Sequence, residues 1–115
     1  MRKITALFLL VVLWPSIIFA GVVGGSIKKD GRPLGEGVEI RIIPEGSNSN
    51  KPYSTQTDKF GSYRCNLKEI GKCKFILVNY ENQSPAIEIY SYEGPIEYNL
   101  ILEKNEEENY YLVRE

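Results

Sequence analysis

From residue 21 onward, apolar and polar residues alternate with a period of two in short runs separated by turn residues. The first run, 22–29, sets Val23, Gly25 and Ile27 against Gly24, Ser26 and Lys28. The clearest, 38–43, sets Val38, Ile40 and Ile42 against Glu39, Arg41 and Ile43. A short run at 53–57 leads through Asp58-Lys59-Phe60-Gly61 into 62–67, where Tyr63, Cys65 and Leu67 share a face. The run 72–80 is the most apolar after residue 21, with Cys73, Phe75 and Leu77 on one face. Ile87 and Ile89 alternate with Glu88, Tyr90 and Tyr92 in 86–92, and Ile96, Tyr98, Leu100 and Leu102 alternate with Glu97, Asn99 and Ile101 in 96–102. Period two places one set on a buried face and the other in water. Between the runs stand Asp30-Gly31-Arg32-Pro33, the polar loop 44–52, residues 68–71, Glu81 to Pro85, and Glu93-Gly94-Pro95, all rich in turn formers. No stretch after residue 21 has a helical period. Seven strands of ordinary length, evenly spaced with turns between them, predict an all-β antiparallel sandwich.

The two ends differ from this pattern. Arg2 and Lys3 precede an apolar run, 4–19, closed by Ala20-Gly21. A basic start, an apolar stretch and a small residue before the break predict a secretory signal peptide over 1–20. As an uncleaved anchor the run would be short, and Pro15-Ser16 interrupts it. At the other end, 105–115 opens with Glu106-Glu107-Glu108, a solvated spacer. Its Tyr110-Tyr111-Leu112-Val113 is costly to leave in water and predicts an edge contact. The folded domain is thus expected over 21–104, with 105–115 as a tail.

Composition narrows the chemistry. The full chain of 115 residues carries 14 basic and 15 acidic side chains. Loss of Arg2 and Lys3 with the leader leaves 12 against 15, a net charge of −3. The basic residues are scattered, so no clustered face for nucleic acid is expected. The chain has no His, which removes the commonest metal ligand and general base. Two cysteines alone do not make a four-ligand zinc site. No cofactor is expected.

The placed turns and strands resemble the carboxypeptidase regulatory-like domains. The residues that carry the resemblance are Gly25-Ser26-Ile27, Asp30 to Leu34, Gly37 to Ile40, Thr57 to Tyr63, Gly71, and the alternation of Phe75 and Leu77. It covers 22–104 and implies a seven-stranded Greek-key β-sandwich of transthyretin-like type. The chain departs from the family pattern at Cys65 and Cys73, where the family has an apolar residue and an aromatic, and by one extra residue near Gly35-Glu36. Such domains accompany a peptidase, a transporter plug or a carbohydrate-active module. The resemblance therefore implies an accessory or interaction role in the cell envelope.

Four sets of residues are candidates for chemistry. Cys65 and Cys73 have the parity of core residues on either side of a turn, and export would place them where a disulfide persists. The strands that carry them can form a hairpin or belong to facing sheets. Two small thiols filling space are the alternative. Tyr90 and Tyr92 share an outward face and are candidates for stacking on a sugar or a protein partner. They can equally pack under Tyr110 and Tyr111. Glu88, Glu93 and Glu97 are carboxylates at outward positions, where a solvated role is expected. Lys28 or Lys29 with Asn99 sits where the related collagen-adhesin repeats form an isopeptide bond. However, Asn99 alternates with core residues and is expected to point outward, away from the dry setting that chemistry needs. No catalytic residue, cofactor-binding residue or metal ligand is predicted. The expectation is a secreted or periplasmic, non-enzymatic accessory domain. Its partner would be an envelope protein or a glycan, with no nucleic acid and no membrane span after cleavage. A carbohydrate-binding module using the tyrosines, and a structural subunit adding a strand to a partner's sheet, are the alternatives.

Overall fold

The computed structural model describes residues 21–45 and 51–115, and these form ten β-strands in two sheets with no helix. The leader expected at 1–20 and most of the polar loop lie outside the described residues. The strands are β1 (Gly21–Lys29), β2 (Arg32–Pro33), β3 (Glu39–Pro44), β4 (Tyr53–Gln56), β5 (Ser62–Leu67), β6 (Gly71–Leu77), β7 (Ala86–Ser91), β8 (Pro95–Glu97), β9 (Leu100–Lys104) and β10 (Tyr110–Arg114). The all-β expectation holds. The expected count of seven is corrected to ten. A two-residue β2 folds back on β1, the expected strand 96–102 is divided, and the tail supplies β10.

The strand β1 changes neighbours along its length. Gly21 to Ser26 run antiparallel to β5, and Val22 to Gly24 run parallel to β8. Ile27 to Lys29 then run parallel to β9, while Lys28 and Lys29 pair with β2. The change falls at Gly25, where φ is +154°. The Tyr98 N–H donates to the Gly24 carbonyl at 2.8 Å. A Cβ on Gly25 would lie 2.0 Å from the Tyr98 carbonyl oxygen. Residues 95–104 thus run along one edge of β1 in unbroken register, and their closest approach, at Gly25, admits only a residue without a side chain. The interruption at Tyr98 and Asn99 divides the expected strand 96–102 into β8 and β9.

The second sheet is β4-β3-β6-β7, antiparallel throughout. The two sheets share one apolar core. Val23 and Ile27 of β1, Leu67 of β5, and Leu100 and Leu102 of β9 meet Ile40 and Ile42 of β3, Phe75 and Leu77 of β6, and Ile89 of β7. Tyr63 and Phe75 touch edge to face with centroids 5.2 Å apart. Of the seventeen side chains with core parity, fourteen are buried, and Val38, Ile87 and Ile96 pack half-buried against the cluster.

The turns follow from local chemistry. The Asp58 carboxylate accepts the N–H groups of Phe60 and Ser62, both at 2.9 Å, and Gly61 has φ +74°. The apolar run 72–80 stops as strand at Leu77 because Asn79, Glu81 and Asn82 all adopt positive φ, tightening the chain around a Tyr80–Gln83 bridge. Side chains close the corners between the sheets. At one, Thr55 Oγ1 of β4 donates to the Arg64 carbonyl of β5 at 2.9 Å. At the other, the Tyr98 hydroxyl accepts the Tyr90 N–H at 3.0 Å and donates to the Tyr90 carbonyl at 3.1 Å. An edge strand left with free backbone groups invites pairing with another chain, and Tyr98 removes one such pair of groups from the rim of β7.

Candidate functional site

Tyr90 and Tyr92 stand at the end of β7 and just past it, on the face of the four-stranded sheet turned away from the core. They are 41% and 51% exposed, so the tail does not cover them; it pairs with β9 in the other sheet. Tyr90 lies opposite Lys72 of β6. The Glu88 carboxylate, two residues back on the same face, raises the phenol's pKa as a hydrogen-bond acceptor and as a charge. Glu88 also lies 3.9 Å from the Lys72 ammonium. The backbone of Tyr90 is held by Tyr98, which is itself buried. The first ring is thus on an anchored strand end, beside a carboxylate and an ammonium able to hydrogen-bond a polar ligand.

The other candidates fare differently. Cys65 and Cys73 are both buried, as their parity required, and both stand as free thiols in this structure. They sit on different sheets, not across a hairpin. Cys65 lies opposite Val23 of β1, and Cys73 between Pro44 of β3 and Ile89 of β7. The Cys73 thiol donates instead to the Gly71 carbonyl at 3.6 Å. Burial pushes both thiols up, and each is a charge-sensitive neighbour of Cys73, in the case of Cys65, or of Glu69 and Glu45, in the case of Cys73. Raised thiols are poor nucleophiles at neutral pH. Glu88, Glu93 and Glu97 are all exposed. Among the described residues, no group of three His, Cys, Asp or Glu is placed to hold a metal ion.

Asn99 is half-buried and bonded at the interruption between β8 and β9. Its Oδ1 accepts the Ser26 N–H at 3.1 Å and the Ser26 hydroxyl at 3.3 Å, and its Nδ2 donates to Glu97 at 3.0 Å. Neither lysine is bonded to it. Lys28 lies 4.0 Å from Glu115. Lys29 donates to the hydroxyls of Tyr110 at 3.1 Å and Tyr80 at 3.5 Å, and lies 3.8 Å from Glu81.

The cluster around Lys29 was not visible in the sequence, because its members come from β1, the 78–85 turn and the tail. Tyr80 and Tyr110 meet edge to face at 5.2 Å, and the Lys29 ammonium lies over both rings. The Tyr110 hydroxyl donates to Glu81 at 2.9 Å. The hydrogen bond to Tyr110 leads the influences that raise the pKa of Lys29. Grooves of about 580 and 450 Å³ lie on either side of Lys29. The side chain dividing them is spent on internal partners, which makes it a clasp for the tail strand and not a base or nucleophile.

Comparison with known proteins gives the fold alone. No family model matches the chain, and no curated protein matches it. Among solved structures, the chain is similar to the crystal structure of a DUF3823 family protein from Parabacteroides merdae, with a TM-score of 0.58 and 18% identity. The likeness covers 70% of this chain and 44% of that one, so the chain spans less than half the length of that protein. It fits the β-rich architecture described above. Among the described residues, no helix is long and apolar enough to cross a membrane.

Proposed function

We propose that this protein is an exported, non-enzymatic accessory domain of the cell envelope. In this reading it is a Greek-key sandwich of the transthyretin-like, carboxypeptidase regulatory-like kind, and its contact face is the outer face of β4-β3-β6-β7. The observation that carries the reading is the exposed pair Tyr90 and Tyr92 on one side of an anchored strand end. Rigid tyrosines give contact area at low entropic cost, and their hydroxyls give direction. The partner is an envelope protein or a glycan. The glycan form is favoured by the company Tyr90 keeps: Glu88 and Lys72 supply an acceptor and a donor beside the ring.

The test compares the wild type with a Tyr90→Ala/Tyr92→Ala double variant on a glycan array and in co-purification from the envelope fraction. Binding should be lost while stability stays within about 0.5 kcal/mol, the usual range for surface changes. A double variant that retains every bound glycan and partner would overturn the reading.

A further inference from the structure

A second polar surface lies on the other sheet. The outward residues of β1 along its pairing with β5 are Val22, Gly24 and Ser26. In register with Gly24 stand Arg64 on β5 and Glu97 on β8. The middle strand therefore has no side chain where its two neighbours carry a guanidinium and a carboxylate. The result is a hollow of about 450 Å³, floored by Gly24 and Gly25 and walled by Val22, Pro95, Arg64 and Glu97. Neighbouring strands are about 4.8 Å apart, so Arg64 and Glu97 straddle the floor at about twice that spacing.

The two charged groups are prepared differently. Glu97 is oriented by a relay: Ser26 donates to Asn99, and Asn99 donates to one carboxylate oxygen of Glu97. The other oxygen is not engaged by that relay. Arg64 is exposed, and its guanidinium makes no ion pair or hydrogen bond among the described residues. A guanidinium presents five donors in a plane, and a carboxylate accepts through both oxygens. Ser26, Ser62 and Asn66 extend the same face with neutral donors and acceptors. The site charge is balanced, one positive group against one negative. Donors on one wall, acceptors on the other, a bare floor and an apolar end at Val22 and Pro95 match a ligand that is neutral, rich in hydroxyls and apolar on its ring face.

The geometry points to this hollow as a binding site for a neutral pyranose unit, separate from the tyrosine face. Arg64 donates to ring hydroxyls from one side, Glu97 accepts from the other, and Gly24 leaves room for the ring between them. A side chain at position 24 would fill the floor, and the first atom of one would already lie 3.2 Å from the Tyr63 carbonyl oxygen. The site needs neither Tyr90 nor Tyr92, so it stands or falls apart from the contact face proposed above.

The test is an amide-shift titration of the isotope-labelled full chain with the methyl glycosides of glucose, galactose, mannose and N-acetylglucosamine, and with glycylglycine as a zwitterionic control. At least one glycoside should shift amides within 22–26, 62–66 and 97–99. Arg64→Ala and Glu97→Gln should each weaken that binding roughly tenfold, the loss expected when a charged hydrogen bond is removed. Both residues are exposed, so both variants should fold as the wild type does. Absence of shifts with all four glycosides would overturn the proposal, as would shifts confined to the Tyr90 and Tyr92 face, which would leave the contact face standing. Glycylglycine shifting these amides where no glycoside does would replace the sugar by a zwitterion. Glycoside binding unchanged in both variants would also sink it.

Discussion

Tyr98 and Gly25 settle more of this structure than their size suggests. The Tyr98 ring enters the core, its hydroxyl occupies the backbone of Tyr90, and its carbonyl accepts the Tyr63 hydroxyl at 2.7 Å. The buried Tyr63 hydroxyl needs a partner, since an unpaired one is costly. Which group serves it was not legible, because the partner is a backbone carbonyl freed where the pairing of 95–104 with β1 is interrupted at Tyr98. The close approach of Tyr98 makes Gly25 obligatory. Gly25→Ala would force a Cβ into the Tyr98 carbonyl and demand a backbone angle rare for side chains. The expected loss is about 2–4 kcal/mol, strain and clash combined. Urea unfolding measures it; a loss under about 1 kcal/mol would mean that β1 and the segment around Tyr98 part without cost.

At the scale of elements, strand existence was legible and strand pairing was not. Period two located β1, β3, β5, β6, β7 and the run that is divided into β8 and β9, because each has one buried face. It could not reveal β2, which is two exposed residues held by its hairpin to β1, nor the division of 96–102, which depends on a distant glycine. The tail shows the limit from the other side. Its apolar residues predicted an edge contact, and β10 pairs with β9 from Tyr110↔Lys104 to Arg114↔Leu100. The register decides which tyrosine is buried: Tyr110 faces inward with Leu112, and Tyr111 faces water, its hydroxyl donating to Glu103 at 2.8 Å. Tyr110→Ala should therefore cost about 3–5 kcal/mol, the range for truncating a buried aromatic, with the Lys29 clasp lost as well. Tyr111→Ala, a change at an exposed position, should cost about 0.5 kcal/mol or less. Equal costs for the two in chemical denaturation would show that β10 is not docked in this register.

For the whole molecule, the open matter is how the two sheets are tied and where the chain folds. Cys65 belongs to the six-stranded sheet and Cys73 to the four-stranded one, eight positions apart along the chain. A bond between them would cross the core and close a short loop, worth about 2–3 kcal/mol in the chain-entropy account. That is a sizeable share of the stability of a small domain. Burial raises both thiols, so once folded they react slowly. The bond must then form before the core closes, in an oxidising compartment, and its presence depends on where folding occurs. The prediction joins this to the leader read from 1–20. Protein exported by its own N-terminal segment should have an intact mass that starts at Gly21 and is lighter than the dithiol form by two hydrogens. The same chain folded in a reducing cytosol should keep both thiols, silent to alkylation until it is unfolded. An exported protein that retains Met1 would overturn the leader. An exported protein that begins at Gly21 and still titrates two thiols after denaturation would leave Cys65 and Cys73 as core packing alone, with the sheets held by Tyr98, Thr55 and the apolar residues between them.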